Sequence, residues 1–115
     1  MHELGIVFYI IRDVKKAAAE NNVEHVSEVV MNIGEVSTIV PRYLQDCWRW
    51  AADKEEVLKG CELIVNKIPA VTWCDSCKSE YPTVKYGKTC PHCGSGNTWL
   101  LRGNEVEIKE IHTGE

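Results

Sequence analysis

Long apolar runs are missing from this sequence of 115 residues. Arg12 and Asp13 interrupt the most apolar stretch, so that stretch is too short for a membrane-spanning helix, which needs roughly 18 to 20 apolar residues. The start of the sequence also lacks the basic segment and small-residue cleavage site of a secretory signal, because Glu3 directly follows His2. The sequence therefore predicts a cytoplasmic protein with no membrane span.

A basic excess is missing as well, since 13 Lys and Arg face 17 Asp and Glu and the formal charge is -4. Proteins that bind nucleic acid non-specifically ordinarily carry a basic surface. The sequence also has no phosphate-binding loop of the form G-x-x-x-x-G-K-[ST] and no nucleophile with a base and an orienting group. We therefore expect no nucleic-acid partner and no enzymatic activity.

The apolar pattern predicts the order helix, strand, helix, strand, cysteine-rich segment, strand. The predicted helices run from Glu3 to about Glu20 and onward from Pro41, and the predicted strands cover residues 26–33, 62–68 and 105–110. The last of these alternates charged and apolar residues, which predicts a strand at an edge of the sheet. The apolar face of the first helix is predicted to contain Leu4, Val7, Phe8, Ile11, Val14 and Ala18.

This order predicts an α+β fold, in which a small three-stranded sheet carries two helices on one face. We expect one α/β domain over residues 1–69 and 104–115, with residues 70–103 inserted as a zinc-ribbon domain. Pro69 and Gly103 bracket the insertion and are predicted to act as hinges, and the tail after Ile111 is predicted to be loose.

Cysteine is abundant, with six residues in the chain, and a reducing compartment makes disulfides a poor explanation. Cys74, Cys77, Cys90 and Cys93 form the pattern C-x2-C-x12-C-x2-C. Two such pairs, each on a tight turn, can direct four thiolates at one metal ion in a tetrahedron, the geometry that zinc prefers. We expect a structural zinc site, with a hairpin between the pairs. Lys78 and Gly94 directly follow the two pairs, where a residue that tolerates positive φ or adds a compensating charge is expected. An iron-containing, rubredoxin-like electron carrier and a redox dithiol remain as alternatives.

The first residues, Met1, His2 and Glu3, form a second candidate metal site. The α-amine of Met1, the backbone nitrogens and the His2 imidazole can close small chelate rings on one ion. Ni(II) and Cu(II) favour such square-planar or tetragonal nitrogen sites. A histidine at the second position can also be an accident of sequence, so the residues alone leave this site open.

The chain resembles the HypA/HybF family of hydrogenase maturation factors, which are nickel metallochaperones. The resemblance rests on Met1-His2-Glu3-Leu4, on Ile33-Gly34-Glu35-Val36-Ser37, on the two CxxC pairs and on Gly103-Asn104-Glu105. It implies that His2 is the essential nickel ligand, with the Met1 amine and the backbone nitrogens of His2 and Glu3 as companions, and that the four cysteines hold zinc.

The resemblance also implies partners, namely a HypB-type GTPase and the large subunit of [NiFe]-hydrogenase, with urease maturation proteins as a further class. Some members carry an acidic residue shortly after the G-E-x-S segment, where this chain has Val40 and Pro41, so no carboxylate ligand is assigned there. The main alternative is a zinc-ribbon module that binds nucleic acid or protein. The net charge of residues 70–99 is near -1 once four thiolates and one Zn(II) are counted. A module with this charge is a poor phosphate-binding surface.

Overall fold

The computed structural model describes residues 2–113, with side chains from residue 3 onward. These residues form two compact units. The first unit comprises Met1–Asn32, Ile39–Asn66 and Glu107–Glu115, and the second comprises Ile33–Thr38 and Lys67–Val106. None of the described helices combines the length and apolar character needed to cross a lipid bilayer.

The first unit contains both long helices, α1 (His2–Glu20) and α2 (Pro41–Ala52), which pack against each other. Pro41 is the first residue of α2, where its missing N–H costs no helical hydrogen bond. The helix α1 ends at Glu20; two residues later Asn22 has a left-handed φ of 57°, and the N–H of Val23 donates to the carbonyl of Ala18 (2.8 Å). This is the usual hydrogen bond that closes a helix C-terminus.

Three strands, β1 (Val26–Gly34), β2 (Glu62–Ile68) and β6 (Val106–Thr113), form a sheet in the order β2-β1-β6. β1 is the central strand, and it is the most buried of the three, with a neighbouring strand on each of its edges. The alternating strand β6 lies at an edge, as predicted. It continues to Thr113, so the prediction of a loose tail after Ile111 is wrong for His112 and Thr113, while Gly114 and Glu115 lie outside the described residues.

The buried side chains of the first unit come from α1, β1 and α2 and from the segment that follows α2. A short 3-10 helix (Glu56–Leu58) precedes β2 there. Trp48 is 1% exposed, and its indole N–H donates to the carbonyl of Cys61 (2.9 Å). The fully buried residues include Val7, Ile10, Val14, Val26, Val29, Met31, Leu44, Trp48 and Leu58.

One residue of the predicted apolar face of α1 does not belong to the core. Phe8 is 50% exposed, whereas Ile10 is completely buried. The buried positions 3, 7, 10, 11, 14 and 18 still follow three- and four-residue steps, but the stripe is centred between Val7 and Ile10. The prediction failed here because Phe8 and Ile10 are both apolar, and periodicity alone does not tell which of two flanking residues faces the core.

The second unit contains a second sheet, formed by β3 (Val71–Cys74), β4 (Ser79–Pro82) and β5 (Thr98–Arg102) in the order β4-β3-β5. Both neighbours pair antiparallel with β3. The predicted hairpin between the cysteine pairs is wrong: β4 pairs back onto β3, and a single helical turn, α3 (Thr83–Tyr86), carries the chain on toward the second pair. Pro82 ends the strand because it lacks the N–H that a further rung would need.

Two glycines bring three chain segments of the second unit together. A Cβ at Gly34 would collide with the backbone of Gly103, and a Cβ at Gly103 would lie 2.5 Å from the Cβ of Ala70. Gly103 is buried, its φ is 118°, and its N–H donates to the carboxylate of Glu105 (2.9 Å). The N–H of Ala70 donates to Glu35 Oε1 (2.8 Å). The two predicted hinge positions, Pro69 and Gly103, therefore lie beside closely packed and hydrogen-bonded backbone.

Candidate metal centre

The structure brings the four predicted cysteines together. Cys74 is the last residue of β3 and Cys77 lies in the turn to β4, while Cys90 and Cys93 lie on the loop between α3 and β5. Their four sulfur atoms all lie within 4.8 Å of one another. The Sγ atoms of Cys74 and Cys93 are 3.6 Å apart, and so are those of Cys77 and Cys90.

This spacing fits a tetrahedral metal site. A Zn–S bond of about 2.3 Å places the sulfurs of a regular tetrahedron roughly 3.8 Å apart. A disulfide would need about 2.05 Å, and all six cysteines are free thiols. The donor set of four thiolates is the set that zinc takes in closed structural sites, so the residues present fit zinc.

Each cysteine pair is followed by a residue with left-handed backbone conformation, as predicted. Lys78 has φ of 58° and Gly94 has φ of 75°. This conformation turns the chain sharply after each pair, so that the N–H of Gly94 donates to the carbonyl of Cys90 (2.8 Å). The side chain of Lys78 folds back onto Asp75 Oδ1 (2.8 Å) and thereby lowers the pKa of Asp75.

The thiols shift one another's pKa values in opposite directions. The pKa of Cys90 falls from 9.0 to about 6: burial works against this, but the N–H groups of His92 and Cys93 and the neighbouring thiols stabilise its thiolate. The pKa of Cys93 rises to about 12: the N–H of Ser95 lowers it, but burial and the other three thiols outweigh that hydrogen bond. Several thiolates this close together require a cation to neutralise them.

The surroundings hold the two loops in place and shield half of the cluster. Cys74 and Cys90 are buried with Tyr81, which is 3% exposed, whereas Cys77 and Cys93 are exposed. The hydroxyl groups of Ser76 and Ser95 lie 2.8 Å apart and link the two turns. Four protein ligands leave no open position on a tetrahedral ion, so this centre is suited to structure and not to catalysis.

Among the described residues, no other group of three or more His, Cys, Asp or Glu side chains is arranged to hold a metal ion. Cys61 is a buried free thiol; burial raises the pKa of its thiol to about 11, and the charges of Glu28 and Glu62 add to this. Cys47, on α2, is half-buried.

The predicted nickel site at the chain start is described only in part, since Met1 and the side chain of His2 lie outside the described residues. Glu3 is described, and its side chain is 7% exposed. Glu3 Oε2 accepts a hydrogen bond from the N–H of Val40 (3.1 Å), the N-cap residue of α2. The Val40 side chain provides no cap, so a carboxylate from α1 stabilises the positive end of α2 instead.

The sequence motif points only to the backbone nitrogen of Glu3, and this role of its side chain is not among the sequence predictions. One signal was available: an apolar residue directly before Pro41 leaves the start of a helix without a capping side chain. That signal shows that an acceptor is needed, but it does not identify which distant residue supplies it.

Comparison with known proteins identifies relatives along the whole chain. A family model described as "Hydrogenase/urease nickel incorporation, metallochaperone, hypA" matches residues 1–113. The hydrogenase maturation factor HypA of Chlorobium phaeobacteroides is 33% identical over 111 residues, covering 96% of this chain and 97% of the relative. HypA of Geobacter metallireducens is 30% identical with the same coverage.

Two solved structures share the fold. The solution structure of the Ni metallochaperone HypA from Helicobacter pylori superposes with a TM-score of 0.70 at 21% identity, over 96% of each chain. A second solution structure of a HypA protein gives a TM-score of 0.74 at 22% identity, over 98% of this chain and 96% of the other. At such low identity, these two similarities establish the fold alone.

Proposed function

Because the chain belongs to the HypA family of nickel metallochaperones for hydrogenase maturation, we propose that it binds Ni(II) at its N-terminus and helps to insert it into the large subunit of [NiFe]-hydrogenase. The observation that carries this proposal is the family match from residue 1 to residue 113, in a chain with histidine at the second position.

The proposed nickel ligands are the His2 imidazole, the Met1 amine and the backbone nitrogens of His2 and Glu3. Nitrogen donors of this kind suit the square-planar preference of Ni(II). The first amides of an α-helix have no carbonyl acceptor four residues earlier, so coordination there breaks no bond of the helical ladder. The Glu3 carboxylate, hydrogen-bonded to Val40, supports the proposal by holding the adjacent backbone against the start of α2.

The four cysteines are proposed to hold Zn(II), which would cross-link two loops that share little apolar core. Within the described part of the second unit, the buried cluster consists of Cys74, Cys90 and Tyr81. Such a small cluster contributes too little burial to fix two loops, whereas a structural metal stabilises small modules strongly. We assign residues 70–103 to this zinc-binding domain, and residues 1–69 with 104–115 to the nickel-binding domain.

Delivery is proposed to proceed by ligand exchange and not by catalysis. Because α-amines in general have a pKa of about 7.7 to 8.0, nickel binding to such a group releases protons near neutral pH and is reversible there. The proposed partners are a HypB-type GTPase, which would supply nucleotide hydrolysis, the hydrogenase large subunit, and urease maturation proteins. The proposed location is the cytoplasm.

The deciding experiment titrates Ni(II) into zinc-loaded protein that has an authentic, untagged N-terminus. Calorimetry and visible absorption should show one-site nickel binding for wild type and its loss for His2→Ala, while zinc content stays the same in both. His25→Ala is the matched control, because it removes another exposed imidazole, and it should bind nickel like wild type. Equal nickel binding by wild type and His2→Ala would overturn the proposal, and the zinc-ribbon binding module would then be the function to test.

A further inference from the structure

A groove in the second unit lies apart from the four cysteines and has no role in the proposed nickel delivery. Its volume is about 490 Å³, within the usual range for ligand sites. It is lined by chain segments just before and within β3 and at the end of β4, and by one residue that follows β1. The lining residues that matter here are Glu35, Pro69, Ala70, Val71, Glu80 and Pro82.

The backbone along this groove offers a partner few hydrogen bonds. The N–H of Ala70 already donates to Glu35 Oε1 (2.8 Å), and the carbonyl of Ala70 accepts from the N–H of Thr83 (3.1 Å). Pro69 and Pro82 have no N–H, and Pro82 protects the edge strand β4 against pairing with another strand. A partner must therefore be recognised through its side chains and not by adding a strand.

The charges that line the groove are both negative. Glu35 is exposed, and one of its oxygens accepts the Ala70 N–H; a carboxylate can accept several more hydrogen bonds. Glu80 is 3.5 Å from Arg102, and both side chains are about half exposed, so this ion pair contributes little and can exchange partners. Two carboxylates beside the apolar surfaces of Pro69, Val71 and Pro82 are complementary to a cation on an aliphatic stem.

We propose that this groove binds an extended segment of a partner protein in which Arg or Lys is flanked by apolar residues. The stem of such a cation packs on the apolar wall while its charged group meets Glu35 or Glu80. The chain's net charge of -4 favours the approach of a basic partner. The proposal does not depend on nickel binding, so either one can fail alone.

The test uses the zinc-loaded full chain and four synthetic peptides, acetyl-Val-Pro-Xaa-Val-Pro-amide, in which Xaa is Arg, Lys, citrulline or Glu. Citrulline keeps the shape of arginine without its charge. Amide chemical shifts in NMR spectra should change with the Arg and Lys peptides at residues 35, 69–71 and 80–82, and binding of the citrulline peptide should be at least about fivefold weaker. No shift changes at about 5 mM Arg peptide, or equal binding of all four peptides, would overturn the proposal.

Variants of the protein give a second, independent readout. Glu35→Gln/Glu80→Gln keeps side-chain oxygens that can accept hydrogen bonds but removes both charges, and it should weaken Arg-peptide binding at least about fivefold. Glu20→Gln/Glu24→Gln is the matched control, since it makes the same charge change at exposed residues of the first unit and should leave binding unaltered. Equal loss in both variants would mean that only overall charge matters, and the groove would then not be the site.

Discussion

Replacing Gly103 with alanine tests the closest backbone approach in the second unit. The new Cβ would lie 2.5 Å from the Cβ of Ala70 and nearer still to its Cα, and neither atom belongs to a flexible side chain that could move away. Placing an L-residue in left-handed conformation costs about 1–2 kcal/mol, and overpacking costs about 1–3 kcal/mol. We therefore expect Gly103→Ala to lower the free energy of unfolding by about 2–5 kcal/mol.

Gly60→Ala separates the two contributions, because Gly60 also has a left-handed φ, 72°, but no atom lies within 4 Å of an added Cβ. This variant should lower the free energy of unfolding only by the cost of the left-handed backbone conformation, about 1–2 kcal/mol. Urea unfolding of the zinc-loaded proteins, followed by tryptophan fluorescence and by zinc release to a colorimetric chelator, measures both variants. If Gly103→Ala and Gly60→Ala are destabilised equally, the close packing of Gly103 on Ala70 is refuted.

Three further predictions concern the metal, the pH dependence and the core. Removing zinc with a chelator should unfold the second unit and leave the helices of the first, so NMR amide dispersion should collapse for residues 33–38 and 67–106 only; retention of both units would contradict a structural zinc. Hydrogen bonds with Glu110, and then with Glu28, raise the pKa of His112 above its usual 6.5. The protonated His112 therefore stabilises the folded state fully below about pH 6.5, and this stabilisation is lost as pH rises through the higher pKa of the folded protein. His112→Gln should abolish this part of the pH dependence of the urea midpoint. Ile10→Ala should lower the free energy of unfolding by about 2–5 kcal/mol, whereas Phe8→Ala should lower it by less than about 1.5 kcal/mol because Phe8 is half exposed. Equal losses of this free energy in thermal or urea unfolding would mean that Phe8 belongs to the core after all.

Local signals in the sequence predicted the elements that depend on neighbours in the chain. Spacing alone identified the four-cysteine centre, because two tight turns can each present a pair of sulfurs whatever the rest of the fold does. The left-handed residues after each pair, Lys78 and Gly94, were found in the same way. The alternation of charged and apolar residues predicted β6 and its edge position, which requires only that one side of the strand faces solvent.

Contacts between distant residues were not predictable in this way. Which of Phe8 and Ile10 enters the core depends on how α1 rotates against α2, and no pattern within α1 specifies that rotation. β4 pairs with β3, and no hairpin forms between the cysteine pairs, because a helical turn follows β4. The four residues of this turn have mixed helix propensity and do not predict it.

The sequence by itself determined the fold class, the clustering of the four cysteines and, through its motifs, the family, because each rests on residue type and spacing along the chain. Only the tertiary structure decided what Glu3 and Glu35 do. Their carboxylates accept hydrogen bonds from the amides of Val40 and Ala70, which are 37 and 35 residues away in sequence. A carboxylate satisfies whichever N–H the folded chain brings within reach, and that choice is made by packing and not by local sequence.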